Sequence, residues 1–175
     1  TLEELHKVAI AFTELGVRKI RLTGGEPLVR KDVLSLVEKL GKLPELEELV
    51  ITTNGSQLPS MAKSLRAAGV KRLNISLDSL KTDKFKSLTR TGDLQNVLAG
   101  IDSAIDAGFD NIKLNAVILR NRNEDEVLDL VKYSGDKGLD ISFIEEMPLG
   151  VIGDHDRAEA YYSSDQIKAD LENYY

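Results

Sequence analysis

Apolar residues along this chain recur first at helical spacing and then at every second position, and the two patterns take turns from one end to the other. Leu2, Leu5, Val8, Ala9 and Phe12 fall on one helical face, and Thr1 and Glu4 ahead of them have the separation of a capping box. Gly16 stops this first predicted helix, and a strand over 17–23 runs into Gly24-Gly25-Glu26-Pro27. Asp32 then stands where it can cap a helix carrying Val33, Leu36, Val37 and Leu40, which ends near Gly41. Further strands are predicted at 48–54, 71–78, 111–118 and 140–146. Helices at 57–69, 94–108 and 124–137 separate them, closed by Gly69, Gly108 and Gly138. A shorter helix is predicted over Thr82–Leu88, and Ser163 with Gln166 repeats the capping-box spacing before Ile167, Leu171 and Tyr174.

Strands that alternate with helices in this way form βα units with parallel strands, giving an α/β fold. A doubly wound sheet buries both faces, so its strands are apolar almost throughout. Here they are not. Ile20 and Leu22 alternate with Lys19, Arg21 and Thr23; Leu73, Ile75 and Leu77 alternate with Asn74, Ser76 and Asp78. Ile112, Leu114, Ala116 and Ile118 alternate with Asn111, Lys113, Asn115 and Val117. One face meets helices and the other is polar, whereas a closed eight-stranded barrel fills its interior with branched apolar side chains. The expectation is an incomplete parallel (βα) barrel with five of its strands present, wide enough to hold a polar ligand. Residues 1–150 form its core, and 151–175 a loop and the start of a further helix of the same domain. The mixed polar stretch 150–164 is the expected flexible loop.

The charge sum of −6 argues against a dedicated nucleic-acid binder. The longest apolar run, Val8 to Phe12, is far short of the ~20 residues a bilayer span needs. No charged-then-apolar leader is visible, so the expected compartment is the cytoplasm. The chain contains no cysteine, hence no thiolate to hold a cluster or attack a substrate. It starts at Thr1 rather than Met, which suggests an excised piece. An isolated partial barrel exposes edge strands and apolar surface, so self-association or a homo-oligomer through those edges is expected.

Ligands of parallel βα folds gather beyond the carboxyl ends of the strands. Gly24 and Gly25 there let a ligand approach the backbone, and Glu26 either receives an ammonium group or is a solvated glutamate in a tight turn. Thr52-Thr53-Asn54-Gly55 offers hydroxyl and amide groups, although Asn-Gly is by itself a common turn pair. Arg21 and Lys113, both predicted to point inward, need an anion or carboxylates opposite them. A phosphate chain meets that need, and so does internal pairing with Asp78, Glu26 or Glu146. Asp154-His155-Asp156 resembles a metal chelate only superficially. Lys81, Lys84, Lys86 and Arg90 read as a helix surface, and Glu124, Asp125 and Glu126 suit the positive N-terminus of their helix.

Five segments taken in order carry a family likeness: Arg21-Leu22-Thr23-Gly24-Gly25-Glu26-Pro27-Leu28, Thr52-Thr53-Asn54-Gly55, Asn74-Ile75-Ser76-Leu77-Asp78, Lys113-Leu114-Asn115 and Phe143-Ile144-Glu145-Glu146-Met147. From Thr1 to about Gly150 the chain resembles the radical S-adenosylmethionine (SAM) superfamily and, within it, the family of GTP 3′,8-cyclases of molybdenum cofactor biosynthesis. The resemblance implies an incomplete barrel and two [4Fe–4S] clusters in the parent protein. It also implies a 5′-deoxyadenosyl radical that takes the C3′ hydrogen of GTP before C3′ bonds to C8. Gly24, Gly25 and Glu26 would then lie along the methionine part of SAM, Ser76 at its ribose, and the Met147 backbone at its adenine. Arg21, Thr52 and Lys113 would face GTP.

The cluster-binding cysteines of that family would precede Thr1 and follow Tyr175, so this chain by itself is expected to bind no iron and to have no cyclase activity. Two other readings stand beside this one. The first is another superfamily member with different substrate chemistry. The second is a non-catalytic α/β module that binds a nucleotide or a protein partner.

Overall fold

The computed structural model describes residues 1–147 and 157–174. The predicted alternation is realised as α1 (Leu2–Glu14), β1 (Lys19–Leu22), α2 (Val33–Leu40), β2 (Glu48–Thr53), α3 (Leu58–Ala67), β3 (Val70–Ser76), α4 (Thr82–Thr89), α5 (Leu94–Asp106), β4 (Ile112–Ile118), α6 (Val127–Asp136) and β5 (Asp140–Glu145), then α7 (Arg157–Ala160) and α8 (Ser164–Tyr174). The strands form one five-stranded sheet in the order β1-β2-β3-β4-β5. β1/β2 and β2/β3 pair in parallel. The Leu73 N–H donates to Asn111 O (3.1 Å) and the Leu77 N–H to Asn115 O (2.9 Å). Both partners advance together, so β3 and β4 are parallel as well. The chain divides into two compact units, Thr1–Ser76 with Gln95–Lys113, and Leu77–Leu94 with Leu114–Tyr175.

Local signals set most helix ends. The Thr1 hydroxyl accepts from the Glu4 N–H, and the Glu4 carboxylate reaches back to the N-terminal ammonium, completing the capping box. Gln166 N–H and Ser163 Oγ, with Ser163 N–H and Gln166 Oε1, form the same reciprocal pair at α8, each 3.2 Å. Asp32 departs from expectation. It occupies the cap position of α2, but at φ +59° and with no capping bond from its side chain. The short 3-10 turn Pro27–Val29 ahead of it delivers the Arg30 carbonyl to the Val33 N–H at 3.2 Å, so backbone carbonyl replaces side-chain oxygen. The predicted helix at 124–137 is likewise divided, into a 3-10 turn over Glu124–Glu126 and α6.

In the first unit Leu49, Ile51, Leu73 and Ile75 are buried on the helix-packed face. A register shift between Leu49/Val70 and Val50/Arg72 leaves Lys71 as an extra residue in β3. This bulge lets Val70 and Leu73, three apart, both be buried, where a period of two would put them on opposite faces. α5 crosses the turn after β2 so closely that a Cβ on Gly100 would lie 2.4 Å from the Gly55 carbonyl oxygen.

In the second unit, buried polar side chains tie the loop after β3 to the loop after β4. Asn123 donates to the Asp78 and Val117 carbonyls (2.7 and 2.9 Å) and accepts from the Leu119 N–H at 2.8 Å. Glu126 is fully buried and accepts from Ser79 Oγ and the Leu80 N–H, each 2.8 Å. It is therefore a loop clamp rather than a helix-dipole charge, while Asp125 takes ion pairs from Lys81 and Lys84. Asp78 Oδ1 accepts from the Val117 N–H at 2.8 Å, and burial pushes its carboxyl above the ordinary aspartate value against the pull of that bond. Residues 148–156, including Asp154-His155-Asp156 and the first part of the predicted 150–164 loop, lie outside the described residues; the remainder of that predicted loop contains the short helix α7. Among the described residues no helix is long and apolar enough to cross a membrane.

Candidate nucleotide-binding site

Strand alternation and register build a polar face within the first unit. Ile20 and Leu22 line a groove of about 420 Å³ with Val8 and Phe12 of α1 and Leu36 and Leu40 of α2. Arg21, which also borders that groove at the open edge of β1, alternates with them and belongs to the opposite, polar face. It pairs with Val50, which pairs with Arg72, making one row across three strands. Two residues further along, Thr52 pairs with Asn74. The Leu73–Asn111 ladder bond aligns Leu73 with Ile112 and therefore Asn74 with Lys113. The second row is thus Thr52, Asn74 and Lys113, and Ser76 follows Asn74 on the same face of β3.

The charges on this face differ in their partners. Lys19, at its lower end, pairs with Glu48 at 2.5 Å. Among the described residues, neither Arg21 nor Lys113 has an ion-pair or hydrogen-bond partner for its side chain. Two nearby acids are engaged elsewhere: Asp78 accepts from the Val117 N–H, and Glu26 accepts from the Leu28 N–H, the Thr53 hydroxyl and the Asn54 N–H. The second row also carries unmet polar atoms. Thr52 Oγ1 and Asn74 Oδ1 are buried without a hydrogen-bond partner, Asn74 being only 4% exposed. Leaving such a group unsatisfied costs about 1–3 kcal/mol.

Beyond β1, the Gly24-Gly25-Glu26-Pro27 turn and the Thr52-Thr53-Asn54-Gly55 segment meet. Glu26 Oε1 accepts from the Leu28 N–H (2.9 Å) and Thr53 Oγ1 (2.8 Å), and Oε2 from the Asn54 N–H (2.6 Å). Thr53 Oγ1 in turn accepts from the Gly55 N–H at 3.1 Å. The first role of Glu26 is thus to join two turns. Gly24 sits at φ +144°, a conformation that disfavours any side chain, and no protein atom lies within 4 Å of a Cβ built there. Gly25 has neither a positive φ nor a neighbour within 4 Å. Nothing in the protein itself requires a glycine there. Thr23, Gly24, Gly25, Glu26 and Arg30 border a cleft of about 220 Å³.

Arg21, Thr52, Ser76 and Lys113 therefore share the polar face of the first unit, with Gly24, Gly25 and Glu26 at the end of β1. Met147 belongs to the second unit, just past β5, and is 67% exposed. Arg72 and Asn74 lie on the same face, as continuing the β3 alternation back from Ser76 predicts. The burial that leaves Asn74 Oδ1 without a partner has no counterpart in the one-dimensional pattern.

Residues 1–134 match the family model of the Radical SAM superfamily, and the chain belongs to that superfamily. Curated relatives named GTP 3′,8-cyclase include one from Ectopseudomonas mendocina, 60% identical over 98% of this chain and 52% of the relative. Another, from Pseudomonas entomophila, is 57% identical over 100% of the chain and 52% of the relative. The chain spans about half the length of these relatives. Among solved structures, a radical SAM methyltransferase from Sphaerobacter thermophilus superposes with a TM-score of 0.72 at 15% identity, covering 98% of this chain and 52% of that one. Coproporphyrinogen III oxidase from Escherichia coli, a radical SAM enzyme, gives 0.71 at 17% identity over 99% of this chain and 43% of that one. At such identities the likeness defines the fold, the incomplete parallel (βα) barrel of the superfamily.

The superfamily implies SAM and an iron–sulfur cluster, and the residues present treat the two differently. The open Gly24-Gly25 backbone and its cleft fit part of an extended small molecule such as SAM. A cluster does not fit this chain, which has no cysteine, and no group of three potential metal ligands occurs among the described residues.

Proposed function

We propose that this chain is the nucleotide-binding part of a GTP 3′,8-cyclase. That lyase converts GTP to (8S)-3′,8-cyclo-7,8-dihydroguanosine 5′-triphosphate in the first step of molybdopterin biosynthesis. The observation that carries the reading is the pair Arg21 and Lys113, held on one polar face with no acidic partner among the described residues. Relatives of that name at 57–60% identity support the choice of reaction.

In this reading Arg21 grips phosphate oxygens through its planar fork, and Lys113 acts as a point charge beside it. Thr52 contributes a hydroxyl from the row that also holds Lys113. The main chain at Gly24 and Gly25 lies along the methionine part of SAM while Glu26 keeps that turn in shape. Ser76 contacts the SAM ribose, and the Met147 main chain its adenine. When bound in the whole protein, SAM supplies the 5′-deoxyadenosyl group that abstracts hydrogen from the substrate. The residues of this chain bind and orient the two nucleotides. The partners are accordingly small molecules, without membrane or nucleic acid, in a cytoplasmic setting. Self-association through the open edge of β1 belongs to the same reading, since Leu5, Val8 and Phe12 of α1 are exposed beside it.

The test is equilibrium binding of GTP and of SAM to the whole protein carrying Arg21→Ala or Lys113→Ala. Losing a hydrogen bond to a charged group weakens binding roughly 10- to 150-fold. Each variant should lose GTP affinity on that scale and keep SAM affinity. Unchanged GTP affinity in both variants would overturn the reading and leave a radical SAM protein with another substrate.

A further inference from the structure

We infer that Glu145 is a positioning residue for SAM: it ties the end of β5 to the segment 161–164 and so fixes the main chain at Met147 that receives the adenine. The inference rests on the role given to Met147 above and adds to it the residue that holds that stretch in place. β5 ends at Glu145, and Met147 stands two residues beyond it, 67% exposed. An exposed main chain binds a base well only when its N–H and C=O groups are already held in the bound arrangement. Glu145 supplies such a hold. Its Oε2 accepts from the Tyr161 hydroxyl at 2.9 Å and its Oε1 from the Ser164 N–H at 2.5 Å. The bonds from Ser164, and then that from Tyr161, keep the carboxyl below the ordinary glutamate value.

The segment that Glu145 grips is itself tied down. The Arg120 N–H, just past β4, donates to Ala160 O at 2.8 Å, and Leu119 forms an antiparallel bridge with Tyr161. The Arg120 guanidinium donates to Tyr161 O (3.2 Å) and to Gln166 Oε1 (2.9 Å). All these residues belong to the second unit. Segment 160–166 is therefore bound to the end of β4, and Glu145 extends that hold to the end of β5. Both are carboxyl ends, the side on which parallel βα folds bind ligands. The two Glu145 bonds are exposed, and exposed bonds of this kind contribute little to global stability. Their effect is local: they select the arrangement of the residues after β5.

Replacing the side chain separates this role from a direct effect of the charge. A glutamine keeps both links, because its oxygen accepts from the Ser164 N–H while its NH2 donates to the Tyr161 oxygen, a hydroxyl being able to do either. An alanine keeps neither. The experiment measures equilibrium binding of SAM, S-adenosylhomocysteine and GTP to the whole protein and to its Glu145→Ala, Glu145→Gln and Tyr161→Phe variants, with melting temperatures alongside. Losing both bonds lowers the population of the competent arrangement, so Glu145→Ala should weaken SAM about tenfold. S-adenosylhomocysteine has the same adenine without the sulfonium charge and should weaken equally, while GTP affinity and melting temperature hold. Glu145→Gln should stay within about threefold of the parent, and Tyr161→Phe should fall between the two. Four results would overturn the inference: unchanged SAM affinity in the alanine variant, a glutamine variant as weak as the alanine one, a loss for SAM alone, or an equal loss for GTP with a large drop in melting temperature. If the unaltered protein binds no SAM or no GTP, or if Lys113→Ala leaves GTP affinity intact, it is the function proposed above that fails.

Discussion

Glu26 joins two turns that lie 27 residues apart in the chain, and replacing it with glutamine should loosen both. The carboxylate has no proton to donate, so each oxygen can face donors only: the Leu28 N–H and Thr53 hydroxyl at one, the Asn54 N–H at the other. A glutamine oxygen can replace Oε1, but its NH2 then sits at Oε2 and points a donor at the Asn54 N–H. One charge-assisted bond is lost and the remaining two become neutral, a cost of roughly 2–3 kcal/mol. For a chain of this length each kilocalorie lowers the melting temperature by about 2–4 °C, so Glu26→Gln should melt roughly 4–12 °C lower. Thermal unfolding followed by circular dichroism measures this, and a cycle with Thr53→Val isolates the shared bond. The double variant should lose less than the two single losses added together. A glutamine variant that melts within about 1 °C of the parent would show that these bonds do not hold the turns, and Glu26 would return to being a solvent-facing carboxylate.

Gly100→Ala has a sign that decides between two effects. Helix propensity alone would stabilise α5 by about 1 kcal/mol, but the new Cβ would meet the Gly55 carbonyl oxygen at 2.4 Å, so the melting temperature should fall; a rise would refute the close packing. Gly25→Ala places its Cβ in open space, and stability should stay within about 0.5 kcal/mol while SAM affinity falls about tenfold in the whole protein. Retained SAM affinity would remove Gly25 from the site. Asp78→Asn keeps the acceptor for the Val117 N–H and removes the titration. Because the folded carboxyl takes its proton more readily than the unfolded one, Asp78 costs stability progressively as pH rises above the ordinary value of 3.8 toward its raised folded value. The asparagine variant should gain relative to the parent over that window in urea unfolding, and a difference independent of pH would contradict the raised value.

The sequence by itself determined the features that depend on near neighbours. The capping boxes at Thr1–Glu4 and Ser163–Gln166 close over three residues, and the buried alternation of Ile112, Leu114, Ala116 and Ile118 follows from the two-residue period of a strand. Positive φ at Gly16, Gly69, Gly108 and Gly138 marks chain reversals where an added Cβ would be strained. The polar face of the incomplete barrel, with Arg21, Ser76 and Lys113 on it, was legible from the same period. Only the tertiary structure decided how strands align. The bulge at Lys71 allows Val70 and Leu73 both to be buried, and register then places Asn74 between Thr52 and Lys113. The attachments of Glu26 and Glu126 were equally hidden, because their partners arrive from 27 and 47 residues away. Asp32 shows the converse: a residue type suited to capping yields when a preceding turn already brings a backbone carbonyl to the helix. Hydrogen bonds and burial between distant segments depend on which surfaces meet, and a one-dimensional pattern of residue types does not specify that meeting.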